Sequence, residues 1–170
     1  HAGHPGTAAE HFDVVSRTDP AFTSAVFGLA RCLLAVGDRE GGIGAYDRVP
    51  PSSSAFSAAQ IAKVEALVDE AAAPSLDDAA IAARIVDTLA LPSEERARLS
   101  ALVFGATLLA LRGAPGSGGQ GTVLGQPLTE TGVRRGLEAA YREMARHAAT
   151  AEERIRLTDR ANAARPRSWW

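Results

Sequence analysis

Along most of the chain, apolar side chains recur every three or four residues, the spacing of one face of an α-helix. In "AFTSAVFGLARCLLAVGDREGGIGAYDRVPP", Val26, Leu29, Ala30, Leu33 and Leu34 keep that spacing up to a tight turn at Gly37–Asp38. A second short helix then carries Ile43, Tyr46 and Val49 until Pro50 and Pro51 stop it. Two more helices are predicted in "SAAQIAKVEALVDEAAA" and, beyond Pro74, in "SLDDAAIAARIVDTLAL", where Ser75 and Asp78 make a capping-box-like start. Ser93 opens "EERARLSALVFGATLLALR", the most apolar helix and the expected core. After a loop from Gly113 to Gln126 come "TETGVRRGLEAAYREMARHA" and "TAEERIRLTDRANAARP". The last has Thr150 and Glu153 as a second capping box and Pro166 as terminator. No stretch reads as a convincing strand. The pattern predicts an all-α fold of antiparallel helix pairs.

The first helix pair fits a 34-residue period, the tetratricopeptide spacing. Leu29, Ala30 and Leu33 take the first-helix signature, Gly37–Asp38 the turn, and Tyr46 and Val49 the second helix. One period earlier, Phe12 falls where Tyr46 does (46 − 34 = 12) and Val15 where Val49 does, with Asp19–Pro20 at the repeat end. "EHFDVVSRTDP" therefore reads as the second helix of a preceding repeat whose first helix is missing, which would leave apolar surface around Phe12 and Val15. Gly42 stands where the pattern wants Ala. With Gly41 and Gly44 it weakens a short helix by roughly 1 kcal/mol per glycine, so packing must hold that helix. Beyond Pro51 the period degrades. The expected architecture is a tetratricopeptide-like α-solenoid with divergent C-terminal helices.

Composition agrees: 46% hydrophobic but 5% aromatic residues suit closely packed helices better than a β-sandwich. A net charge of −2 gives no argument for nucleic acid. The charge is uneven, with 9 basic and 14 acidic residues in 1–128 against 9 and 6 in 129–170. Arg134, Arg135, Arg142, Arg146, Arg154, Arg156 and Arg160 alternate with acids, as a solvated helix surface does; a patch for an acidic or phosphorylated partner is the other reading. The single cysteine, Cys32, excludes an internal disulfide and sits in an apolar run as a buried thiol. No apolar run reaches the ~18 residues of a membrane span, and no signal-peptide pattern occurs, so the expected compartment is the cytoplasm. The chain opens on His1 rather than Met, as a fragment or processed product would.

One motif invites an enzymatic reading. In "PGSGGQGTV", Gly116, Gly118, Gly121 and Val123 follow the spacing of a protein-kinase phosphate-covering loop. Such a loop needs flanking strands and a lysine soon after it. Here the flanks read as helices, and the only lysine, Lys63, lies 53 residues before Gly116. His-Arg-Asp, Asp-Phe-Gly and Gly-Lys-Ser/Thr segments are missing too, so the loop is an inter-helix linker that binds no nucleotide. His1, His4 and His11 have a metal-like spacing at a frayed end without a scaffold, and no metal or other cofactor is expected. Asp77–Asp78 and Glu94–Glu95 suit helix N-termini and His147 a helix C-terminus. Trp169–Trp170 read as a plug on the last helix pair or as a sticky contact.

"SAVFGLARCLLAVGDREGGIGAYDRVPPSSSAF" resembles the C-terminal tetratricopeptide region of the actinobacterial serine/threonine protein kinase G family. "ALVFGATLLAL", "LGQPLT", "GVRRGLEAAYREMAR" and "ANAARPRSWW" are similar to its final helices, so the resemblance runs from about Phe12 to Trp170. It implies a parent with a rubredoxin-like metal domain, a kinase domain and this tail. It also implies that the tail supports assembly, dimerisation and recruitment of protein substrates, among them an FHA-domain regulator of nitrogen and glutamate metabolism. No catalytic residue falls in this span.

The expected divisions are 1–20, the end of a truncated repeat; 21–56, one complete repeat; 57–112, divergent helices; 113–128, a Gly-rich loop; and 129–170, a helix pair with its tail. Repeat geometry assigns Ser24, Phe27, Arg31, Leu34 and Ala35 to a protein-binding groove. Arg31 would meet an acidic or phosphorylated partner, make an intramolecular ion pair or sit solvated, and Phe27 would be core or contact. The expected partners are proteins, a second copy of the chain and a kinase substrate, with no nucleic acid and no membrane. A free-standing tetratricopeptide-like adaptor without a kinase domain is the alternative, and an enzyme with a cryptic site is the third class.

Overall fold

A computed structural model describes residues 5–19, 21–113 and 119–166, and the chain divides into two compact units, His1–Ala66 and Leu67–Trp170. Eight α-helices and one two-stranded hairpin are found among the described residues. The all-α expectation holds.

In the first unit, α1 (Pro5–Thr18) packs on α2 (Thr23–Ala35), which packs on α3 (Arg39–Ala45); a 3₁₀ turn (Tyr46–Arg48) leads towards α4 (Phe56–Leu67). The α2–α3 turn forms where predicted. Gly37 adopts φ +86°, and the Asp38 carboxylate accepts from the Gly41 amide as the α3 N-cap. The core comprises Val26, Leu29, Ala30, Ala45, Tyr46, Val49 and Ala59, with Phe12, Phe27, Cys32 and Leu33 packed against it. Burying such a Val or Leu side chain stabilises by roughly 1.5–3 kcal/mol.

Packing accounts for Gly42, the departure from the repeat pattern. A Cβ there would lie 2.6 Å from Leu34 Cγ and 3.2 Å from the Ala30 carbonyl oxygen. Leu34 occupies the space that the repeat's alanine would fill. Phe12 is likewise not bare: its ring seats on Gly28, where a Cβ would come within 2.7 Å of Phe12 Cζ. The apolar exposure expected around Phe12 and Val15 is found at Val15 (38% exposed) and its neighbour Val14 (64%), and not at Phe12.

The second unit contains α5 (Leu76–Thr88), α6 (Ser93–Gly113), α7 (Glu130–His147) and α8 (Ala151–Ala164). α5 begins with the complete Ser75–Asp78 capping box, and Thr150 Oγ1 accepts from the Glu153 amide to start α8. Arg96 of α6 donates to the Val86 and Leu89 carbonyl oxygens, both at 2.7 Å, closing the C-terminal end of α5. α6 and α7 run antiparallel: Ser93 meets His147 at one end, Phe104 seats on Gly136 in the middle, and Arg112 faces Glu130 at the other end. α8 returns along α7, where Arg134 donates to the Ala164 carbonyl oxygen at 3.3 Å and Arg165 pairs with Glu138 at 3.2 Å.

Two expectations need correcting. The absence of strands fails at β1 (Thr122–Val123), which pairs antiparallel with β2 (Gln126–Pro127) through a turn of Leu124 and Gly125, both at positive φ. The loop expected over 113–128 is therefore a helix end followed, among its described residues, by a hairpin that buries Val123. Two paired residues per strand are too few for alternation to show.

Candidate functional site

The predicted groove lies on α2, and the structure divides its five residues. Ser24, Arg31 and Ala35 are exposed along one face, as spacings of seven and four on a helix require. Phe27 and Leu34 are half-buried. Phe27 meets Tyr46 edge-on, with ring centroids 5.7 Å apart and planes at 66°, and Leu34 fills the notch at Gly42. The accessible part of the surface is thus a narrow polar strip carrying one cation, floored by an aromatic pair.

Tyr46 was read from the sequence as a repeat marker and is also the floor of this site. It is only 5% exposed. Burial raises its phenol pKa, the Glu65 carboxylate raises it further, and the Arg31 guanidinium opposes them. Arg31 and Glu65 thus both lie within electrostatic reach of the phenol. Arg31 makes no hydrogen bond or ion pair among the described residues, so its donors are available to a partner.

The neighbouring charges are committed. Lys63 Nζ reaches both Asp47 carboxylate oxygens at 2.6 Å. Arg48 pairs with Asp13 at 2.8 Å and donates to Ser16 Oγ at 2.7 Å, tying α1 to the 3₁₀ turn. The hydrogen bond from Arg48 is the largest influence holding the Asp13 carboxyl below the ordinary carboxylate range. Neither pair was legible in the sequence, because each joins residues whose spacing, 16 or 35, marks no helix face.

Among the described residues, reactive groups elsewhere do not assemble into a centre. Among the described residues no three His, Cys, Asp or Glu side chains converge on a metal position. His1, His4, Gly116, Gly118 and Trp169–Trp170 lie outside the described residues. The described end of the glycine motif enters the small hairpin. Ser93 Oγ and Glu143 Oε1 both approach His147, at 3.1 and 3.2 Å, but through the same Nε2. A catalytic relay needs one partner on each ring nitrogen, so this cluster is not one. Among the described residues no helix is long and apolar enough to cross a membrane.

The family model described as Protein kinase G tetratricopeptide repeat matches residues 2–168. The chain is 38% identical over 168 residues to the serine/threonine-protein kinase PknG of Mycobacterium leprae. It is 35% identical over 167 residues to the PknG of Mycolicibacterium smegmatis. Each match covers 96% of this chain and 22% of the relative, so the chain spans about a fifth of the length of these relatives.

Proposed function

The chain belongs to the protein kinase G tetratricopeptide repeat family, and from that premise we propose that it serves a serine/threonine protein kinase as its assembly and substrate-recruitment tail. A tetratricopeptide region is a protein-interaction module whose stacked helices present a continuous concave surface. The observation that carries the recruitment part is the exposed strip Ser24–Arg31–Ala35 over the Phe27–Tyr46 pair, with Arg31 unengaged among the described residues. An acidic or phosphorylated segment of a substrate protein supplies the missing acceptor, since a guanidinium binds carboxylate and phosphate through paired hydrogen bonds. The assembly part is pairing with a second copy of the chain.

The test is made in the full-length protein, whose mass is read first with an antibody against this chain. A species several times larger than 17.7 kDa fits a kinase tail; a species near 17.7 kDa means a free-standing adaptor. In the kinase, Arg31→Glu should lower kcat/KM for a whole protein substrate about tenfold, roughly 1.4 kcal/mol, and leave a short peptide substrate unaffected. Equal effects on both substrates, or none on either, would exclude recruitment by this strip.

A further inference from the structure

We propose that Trp169 and Trp170 fold back into the groove between the start of α5 and the end of α6, so that the segment after α8 clasps its own unit. The groove has a volume of about 670 Å³ and is lined by Ala73, Pro74, Leu76, Leu109, Ala110 and Arg112. That size falls within the roughly 300–1,000 Å³ of sites that enclose a small organic ligand. Leu109 stands 45% exposed beside it, although its neighbour Leu108 belongs to the core. On the opposite wall Ala73 holds a left-handed backbone at φ +49°, which a residue with a Cβ rarely adopts, and Pro74 after it is buried. The unit thus presents an apolar recess with a single charged side chain, the half-open Arg112, at its edge.

The path of the chain delivers the tryptophans to this end of the unit. The Ala164 carbonyl oxygen, at the end of α8, accepts from Arg134 at 3.3 Å. Arg134 and Arg112 both reach Glu130 Oε1, at 2.8 and 3.5 Å, so one carboxylate joins the α8 exit to the edge of the groove. Arg165, held by Glu138 at 3.2 Å, leaves α8 extended (ψ 134°), as a residue before proline prefers. Arg167–Trp170 follow Pro166 and lie outside the described residues. An extended chain advances about 3.3–3.6 Å per residue, so the five or six steps from Ala164 reach roughly 16–22 Å. The bridge they must cross is a few hydrogen-bond lengths, which leaves chain to spare. Tryptophan also suits the recess chemically. Its indole offers a broad apolar face to Pro74, Leu76 and Leu109, and the Arg112 guanidinium supplies a cation–π partner for that face. The unit's other aromatic side chains are already placed, Phe104 against Gly136 and Tyr141 under Arg160.

Tryptophan fluorescence of the 170-residue chain tests the inference, because these two are its only tryptophans and the signal comes from this segment alone. The wild type should emit to the blue of free indole and resist quenching by acrylamide. Leu109→Glu puts a charge into the recess, so emission should move to the red and quenching should rise several-fold, with the helical circular-dichroism signal unchanged. In a Cys32→Ser background, Ala110→Cys combined with Ser168→Cys should form a disulfide within one chain under mild oxidation. Wild-type emission matching free indole would remove the docking altogether. Shielded emission that Leu109→Glu leaves unchanged, with no cross-link between positions 110 and 168, would put the tryptophans elsewhere and overturn the groove. A cross-link found between chains and not within one would overturn the clasp.

Discussion

Both units seat a phenylalanine ring on a helix glycine, Phe12 on Gly28 in the first and Phe104 on Gly136 in the second, yet at different depths. Phe12 belongs to the outermost described helix and is half-buried, so one side of its ring has room to move. Phe104 sits midway along the 21-residue α6, only 4% exposed, and its ring lies against Gly136 of α7. The same contact is therefore half-buried in one unit and buried in the other. Interior packing is dense enough that a buried contact transmits any change in volume to its neighbours.

Removing the rings should give the largest contrast. Phe104→Ala is expected to destabilise by about 3–5 kcal/mol, the range for a buried aromatic, and Phe12→Ala by about half as much. Denaturant unfolding gives the totals, and hydrogen exchange shows which unit opens. Similar losses at the two positions would erase the difference in depth. Filling the notches sharpens the comparison further. Gly136→Ala gains about 1 kcal/mol of helix propensity but forces a buried ring aside, so a net loss of about 1–2 kcal/mol is expected. Gly28→Ala makes the same gain against a ring that tilts outward, so its net effect should be close to zero. Opposite ranking in a thermal-shift measurement would mean that α7, not Phe104, gives way.

These contacts also show where the sequence was informative. The helices were legible because their period and their caps are local: Ser75 with Asp78, Thr150 with Glu153, and Gly37 at the first turn. The correspondence of Phe12 with Tyr46 was legible because 34 residues separate them, and it drew attention to two aromatic side chains that do pack into the first unit. The Phe104–Gly136 contact lies 32 residues apart with no repeat to mark it, and neither residue is unusual in a helix of this composition. The hairpin was illegible for a different reason, since Leu124–Gly125 lacks the Asn-Gly or Asp-Gly signature of a two-residue turn. At the candidate site, repeat position alone assigned Ser24, Arg31 and Ala35 to an outer face. It left Phe27 as core or contact and missed that Leu34 turns inward, because Tyr46 and the space at Gly42 are features of three-dimensional packing.

Acidification separates the units by a smaller margin. In the second unit Glu95, Glu130 and Glu138 have lowered pKa values, chiefly through hydrogen bonds from Arg98, Arg134 and Arg142. In the first unit Asp13 is lowered in this way, chiefly through the hydrogen bond from Arg48. A carboxylate whose folded pKa lies below its unfolded one contributes stability that is present above the unfolded value, about 4, and is lost as pH falls through the folded value. The second unit should thus lose more protection than the first as pH drops below about 4. The pairs are largely exposed and individually weak, so the difference should be a few-fold in local opening rather than orders of magnitude. Adding salt at neutral pH should reproduce part of the effect by screening the same pairs. Hydrogen exchange on peptides from the two units reads both experiments. Loss of protection in parallel would show that these arginine–carboxylate ladders stabilise individual helices without distinguishing one unit from the other, leaving the buried rings as the source of the contrast.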